Sequence, residues 1–300
     1  MMQQTHSRPE TVIPDGAGDC HMHVFGPLSA YPPSPRRAYT PRIATLEDWA
    51  AMAGRIGLQR QVLVQPSAYG TDNRCMLDAM REAGDRCRGV AVIDDATTDE
   101  ELHRMQGQGV RGVRINAASI GVDDPTLIAP EIARTMARVA PLGWHIQLFA
   151  KLAVIDALAD FLATSAVPVV IDHMGLARAE LGVDQPGFAA LLALLRSGPC
   201  WVKLSGVYRM SSAAPGHEDA APIAKALMAA NPGRAIWGTD WPHTGEHGHA
   251  TNGDIPLVEY RKLDDGRLLD MLAGWCGDAA MLRRVLVENP AELYGFPPLP

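Results

Sequence analysis

Short β-branched or apolar runs bounded by turn residues recur along the chain, at residues 19–25, 61–67, 89–94, 110–116, 144–149, 167–173, 201–205 and 235–240. Between them, apolar residues return at helical spacing over 45–56, 72–83, 99–106, 132–139, 154–163, 188–195 and 221–230. A short run followed by a 3.6-residue period reads as a strand and then a helix. Strict alternation predicts a parallel sheet covered by helices, and eight such units close into a (β/α)8 TIM barrel of the α/β class. An open doubly wound sheet is the alternative. The polar residues at the last positions of many strands favour the barrel, whose active sites lie at that end.

Two segments break the alternation. Residues 26–41 (GPLSAYPPSPRRAYTP) carry too many prolines for a helix and read as a loop after the first strand. Residues 244–265 form a polar loop after the eighth. Both leave from the end where the chemistry is expected. Residues 1–16 read as an N-terminal tail, and 17–297 as a single barrel domain, a size such barrels commonly reach.

Composition then narrows the function. A net charge of -7 with no block of lysines and arginines leaves no electrostatic footprint for nucleic acid or an anionic membrane surface. The apolar run 188–195 is far shorter than the ~20 residues that span a bilayer, and the first residues lack the apolar stretch of a secretory signal. Five cysteines without a CxxC pair point to free thiols in a reducing compartment, so a cytoplasmic enzyme is expected. Nothing in the chain indicates an oligomeric state.

Three features carry candidate chemistry. His21 and His23 lie two apart in the first strand, so alternation turns both imidazoles into the barrel mouth and the adjacent Cys20 outward. At the end of the sixth strand Ile171 and His173 share parity, which leads from a buried position to an imidazole at the tip. The eighth strand ends in Asp240, and Trp241-Pro242-His243 does not begin a helix, so a helix-capping role is weakened. Imidazoles bind a divalent metal or donate to a carbonyl oxygen, and a carboxylate takes a proton from water. Other signals carry less. The GxGxxG of 107–112 follows a helix and opens a strand, the reverse of a dinucleotide fingerprint. His243, Glu246, His247 and His249 fall in a loop that fixes no common face, although His243 is placed to contact substrate. Lys203 on the seventh strand reads equally as a buried cation, a substrate contact or a snorkelling side chain.

An HxH on strand one, a His on strand six and an Asp on strand eight resemble the amidohydrolase superfamily pattern. More narrowly, Asp19-Cys20-His21-Met22-His23-Val24-Phe25-Gly26-Pro27, Gly70-Thr71-Asp72-Asn73, Gly109-Val110-Arg111-Gly112-Val113-Arg114, Ile171-Asp172-His173-Met174-Gly175 and Trp237-Gly238-Thr239-Asp240-Trp241-Pro242-His243 resemble the 2-pyrone-4,6-dicarboxylate lactonases and their relatives, over about residues 19–295. The resemblance implies a TIM barrel, hydrolysis of a lactone, and catalytic roles for His21, His23, His173 and Asp240. It also implies substrate contacts from Tyr39, Ser67, Arg114 and Arg209.

Two departures shape the expectation. Metal-dependent relatives carry a ligand His at the end of strand five and binuclear ones a bridging Lys or Glu at the end of strand four. Here those strands end in Leu148-Phe149-Ala150 and Arg114-Ile115-Asn116, and His145 opens strand five toward the opposite barrel end. No metal is expected to be required, and zinc or manganese, if bound, would sit on His21, His23 and Asp240. The family also has arginines where this chain has Ile120 and Leu176, and a tyrosine where it has Phe149. The expected substrate is therefore an anionic lactone with one principal carboxylate. Lactone isomerisation, metal-dependent decarboxylation and, least favoured, simple binding of a small acid are the alternatives.

Overall fold

The computed structural model describes residues 6–214, 216–245 and 255–298. Its strands are β1 (Gly18–Met22), β2 (Arg60–Val64), β3 (Cys87–Ala91), β4 (Val110–Ile115), β5 (His145–Leu148), β6 (Val169–Ile171), β7 (Cys200–Leu204) and β8 (Ala235–Trp237), all parallel and paired in sequence order. Closure between β8 and β1 falls just beyond the end of β8. The Asp240 N–H donates to the His21 carbonyl at 2.8 Å, and the His23 N–H to that of Trp241 at 2.9 Å. The residues singled out for chemistry thus also form the seam of the barrel.

Alternation along the strands separates two cores. Cys20, Val62, Val64, Val90, Val170, Trp201 and Ile236 point inward and pack on Tyr294 and Phe296, which fill the N-terminal end of the barrel. Leu63, Val113, Ile115, Ile146, Leu148, Val169, Ile171, Val202 and Leu204 face the helices. Arg60 and Arg88 lie over the Phe296 ring at 5.3 and 5.1 Å, closing that floor with cations stacked on an aromatic face.

Helix starts follow local chemistry. Thr45 and Thr98 each make a reciprocal capping box, with Asp48 and Glu101, ahead of Leu46–Ile56 and Asp99–Gly107. The helix expected from 132 begins earlier, as Pro125–Val139, because Asp124 caps it and Pro125 takes its first position. Leu152–Ala157 and Ala159–Ala163 divide the single helix expected over 154–163. Gly107 ends a helix and Val110 opens β4, so the GxGxxG is a helix-to-strand turn.

The two loops meet. Thr40–Pro41 pairs in parallel with Leu257–Val258, a contact too short to be read from sequence, and it ties the loop after β1 to the loop after β8. Residues 6–16 form no regular element but are fastened to the helix Asp265–Cys276. Ser7 N–H donates to Asp264 and Thr11 N–H to Asp270, both at 2.9 Å. All five cysteines are unpaired. Among the described residues no helix is long and apolar enough to cross a membrane.

Candidate active site

The placement of His21 depends on an irregularity in β1. Asp19 pairs with Gln61 but Met22 with Leu63, so β1 advances three residues while β2 advances two. The extra residue turns Cys20 and His21 to the same, inward side. Cys20 therefore belongs to the barrel floor and does not face outward as simple alternation predicts; burial pushes its thiol pKa up. Asp19 holds this geometry, accepting from the His21 and Thr239 N–H groups at 3.0 and 2.9 Å and from the Trp49 indole at 3.0 Å.

His173 also arrives by another route than parity. Ile171 packs against the helices, and the inward position after Val170 is Asp172. The backbone then turns left-handed at His173, with φ 49°, which swings the imidazole into the mouth. Asp240 and His243 adopt φ of 63° and 64°. Met174 and Leu176, in the same turn as His173, are left-handed too; left-handed backbone costs a non-glycine residue about 1–2 kcal/mol, so these residues carry strain that the surrounding packing must offset.

These turns assemble one cluster. Asp240 Oδ1 lies 3.6 Å from His21 Nε2, 3.7 Å from His23 Nε2 and 3.9 Å from His173 Nε2, and has no hydrogen-bond partner of its own. Its other oxygen is saturated: Oδ2 accepts from the Tyr208 hydroxyl at 2.6 Å and Arg209 Nε at 2.8 Å. Burial alone would raise the Asp240 pKa, but the Arg209 guanidinium and then His173 hold it well below the ordinary carboxylate range. The far nitrogens of the imidazoles are fixed separately. His23 Nδ1 is 2.7 Å from the Val64 carbonyl, so in its neutral form it carries hydrogen there and presents a lone pair at Nε2. His173 Nδ1 meets Ser205 Oγ at 2.9 Å, and burial lowers its pKa to about 4.

Beneath the histidines is a charged layer that sequence reading left mostly unassigned. Lys203 proves to be a buried cation, with Nζ 2.6 Å from Gln147 Oε1, 3.3 Å from His21 Nδ1 and 3.6 Å from Asp172 Oδ1. Asp172 Oδ2 accepts from Gln147 Nε2 and Arg114 Nε, both at 3.0 Å. The expectation for Arg114 and Arg209 is thereby narrowed, since each commits its Nε to a buried carboxylate.

Tyr39 and Ser67 come together. The Tyr39 hydroxyl is buried, which raises its pKa, against side-chain bonds to Ser67 and Thr244. His243 is fully buried, with Nε2 3.1 Å from Asp265 Oδ1, while His6 Nδ1 is 3.2 Å from Asp265 Oδ2. Burial opposes a charge on His243, but Asp265 outweighs it and the pKa is raised. His243 thus sits behind Tyr208, their rings 5.9 Å apart, and not on the cavity wall. Tyr208, Asp172 and Arg261 were missed as site residues; Asp172 was visible beside His173, whereas Tyr208 and Arg261 carry no local signal.

Above the cluster opens a cavity of about 300 Å³ lined by Ser119, Phe149, Leu176, Tyr208, Arg209 and Arg261, among others. Phe149 stands edge-on to His173 at 5.1 Å and takes the Arg114 guanidinium on its face at 5.0 Å. Glu246, His247 and His249, and the Ile120 side chain, lie outside the described residues.

A divalent ion fits this cluster by distance and donor type. The ligand atoms of His21, His173 and Asp240 lie within 4.8 Å of one another, and two of them, His21 Nε2 and Asp240 Oδ1, have no hydrogen-bond partner. The trio differs from the expected one in having His173 in place of His23.

The model of the family described as Amidohydrolase matches residues 19–296. A 2-pyrone-4,6-dicarboxylate hydrolase of Comamonas testosteroni is 35% identical over 297 residues, covering 96% of this chain and 93% of its own. A 4-sulfomuconolactone hydrolase of Rhizobium radiobacter is also 35% identical, over 283 residues, covering 94% and 91%. Among solved structures, one from Acinetobacter baumannii, described as a probable 2-pyrone-4,6-dicarboxylic acid hydrolase and holding citric acid, superposes with a TM-score of 0.76 at 30% identity, covering 94% and 100%.

Proposed function

The chain belongs to the amidohydrolase family, and from that premise we propose that it hydrolyses an anionic lactone, with Asp240 as the general base. The observation that carries this reading is Asp240 Oδ1, ionised, unpartnered and ringed by three imidazole Nε2 atoms at 3.6, 3.7 and 3.9 Å. Relatives named for the hydrolysis of two different lactones support the reaction class.

Water held against Oδ1 gives its proton to Asp240 as its oxygen attacks the lactone carbonyl. Imidazole N–H groups of His21 and His173 stabilise the oxyanion. Collapse breaks the ring C–O bond, and the departing oxygen takes the proton back from Asp240. Arg209 and Tyr208 engage only Oδ2, so the base stays ionised and its free oxygen stays aimed. Where the ring oxygen leaves as an enolate, its low basicity lessens the electrophilic help required, and no metal is needed. A divalent ion, if bound, would be held by His21, His173 and Asp240 and would polarise the carbonyl.

The substrate is an anionic lactone with one principal carboxylate. Arg209 and Arg261 supply cations to the cavity wall, while Phe149 and Leu176 contribute apolar lining. Tyr39 and Ser67 serve as further contacts, and Arg114 reaches the ligand only through the guanidinium nitrogens that Asp172 leaves. The citric acid held by the Acinetobacter relative supports a small anion.

The test is a screen of carboxylated lactones, with and without chelator, read by product mass. Gain of one water is expected and should survive chelation; unchanged mass would mean isomerisation, and loss of carbon dioxide decarboxylation. Asp240→Asn should lower kcat by about 10² to 10⁴ while leaving the fold intact, and a near-native rate in that variant would refute the role of Asp240.

A further inference from the structure

The hydrogen-bond direction at His21 is decided beneath the site. A histidine that binds a metal through Nε2 normally donates its other N–H to a carboxylate, carbonyl or water. Two groups compete for His21 Nδ1. Asp172 Oδ1 is 3.3 Å away, yet this oxygen makes no hydrogen bond of good geometry. Lys203 Nζ, also at 3.3 Å, is aligned.

Lys203 cannot turn away from this duty. Its Nζ is held at 2.6 Å by Gln147 Oε1, and the amide of Gln147 is oriented in turn because its Nε2 donates to Asp172 Oδ2 at 3.0 Å. A lysine nitrogen has only hydrogens to offer. The group facing His21 Nδ1 is therefore a donor, and Nδ1 must accept.

We propose that Lys203 sets the tautomer of His21, keeping the hydrogen on Nε2, so that this imidazole enters the site as an N–H donor and not as a metal-binding lone pair. Lys203 is a positioning residue: it touches neither the substrate cavity nor Asp240 and acts through His21. The inference rests on the reading of His21 as a carbonyl-facing group only for its consequence in catalysis. The tautomer itself is a property of the resting protein. The trio of His21, His173 and Asp240 then has the spacing of a metal site with one ligand hydrogen pointing the wrong way, and the same hydrogen is what an oxyanion needs.

Nitrogen-15 NMR of histidine-labelled protein at neutral pH reads the tautomer directly, with His21 assigned by loss of its signals in His21→Gln. The expected result is a protonated Nε2 and an unprotonated Nδ1. In Lys203→Met, which keeps a long side chain without a donor, the ring should re-orient its hydrogen to Nδ1, toward Asp172. Zinc affinity measured by calorimetry on the same variant should rise by about tenfold or more, the size of effect that outer partners of a ligand usually have. A wild-type spectrum with the hydrogen already on Nδ1 would overturn the proposal and needs no variant to fold. So would an unchanged His21 pattern in a folded Lys203→Met. Should the lactone screen fail while the tautomer behaves as stated, the functional reading falls and this inference stands.

Discussion

Replacing Arg209 with methionine separates two jobs that the sequence merges. As a grip on substrate, Arg209 would affect binding alone. As the partner of Asp240, with Nε 2.8 Å from Oδ2, it also sets when the base is ionised. An opposite charge this close lowers a carboxyl pKa by about 1–3 units. With that charge gone the Asp240 pKa should rise in Arg209→Met, although Tyr208 keeps its bond to the same oxygen. Since a depressed carboxyl stabilises the fold above its unfolded pKa and loses that contribution as pH falls through the folded value, the variant should also be less stable at pH 7. Removing one partner of a largely buried ion pair puts that loss at about 3 kcal/mol. The assay is kcat/KM against pH for an anionic and a neutral lactone, with urea unfolding at pH 7. The acid limb should move up for both substrates, and KM should rise for the anionic one. An acid limb that stays in place while KM alone rises would show that Arg209 only grips the substrate.

How far the molecule is legible from its sequence depends on which rule each residue obeys. The eight strands follow hydrophobic periodicity, so the barrel and the ends at which His21, His23, His173 and Asp240 lie could be read directly. Side-chain direction could not, because it departs from alternation where function requires it. The extra residue in β1 puts Cys20 and His21 on one side, and the left-handed turn at His173 brings its imidazole inward beside Asp172, which alternation already points in. Neither event has a composition signal, since no glycine or asparagine marks those positions. The charged layer of Lys203, Gln147, Asp172 and Arg114 joins four strands and exists only after the barrel closes. Tyr208 was hidden for the same reason, and so was the pairing of His243, which the sequence offered as a substrate contact: each is fixed by a partner, Asp240 or Asp265, that is remote in the chain.

The seam and the floor of the barrel give two further tests. A Cβ added at Gly238 would stand 2.5 Å from His21 N and 2.6 Å from its Cβ. Gly238→Ala must therefore part β1 from β8 and should cost about 1–3 kcal/mol in stability and, by displacing His21 from Asp240, on the order of 100-fold in kcat; a native-like rate and melting temperature would contradict the seam geometry. His145 tests the floor. It is buried against Tyr294, their rings 5.3 Å apart, and burial, followed by the charge on Lys203, lowers its pKa from 6.5 to about 3. A folded pKa below the unfolded one means that the unfolded chain binds more protons between those values, so stability falls as pH drops from about 6.5 toward 3. By pH 5 this amounts to about 2 kcal/mol for His145. His173, lowered to about 4, acts in the same direction, while Asp19, raised by burial to about 6, opposes both. His145→Leu removes one of these contributions and leaves the catalytic cluster untouched, so its loss of unfolding free energy between pH 7 and pH 5 should be smaller than that of the wild type by about 2 kcal/mol. Urea titrations at the two pH values measure the difference, and equal losses in the two proteins would mean that His145 takes up its proton in the folded barrel as readily as in water.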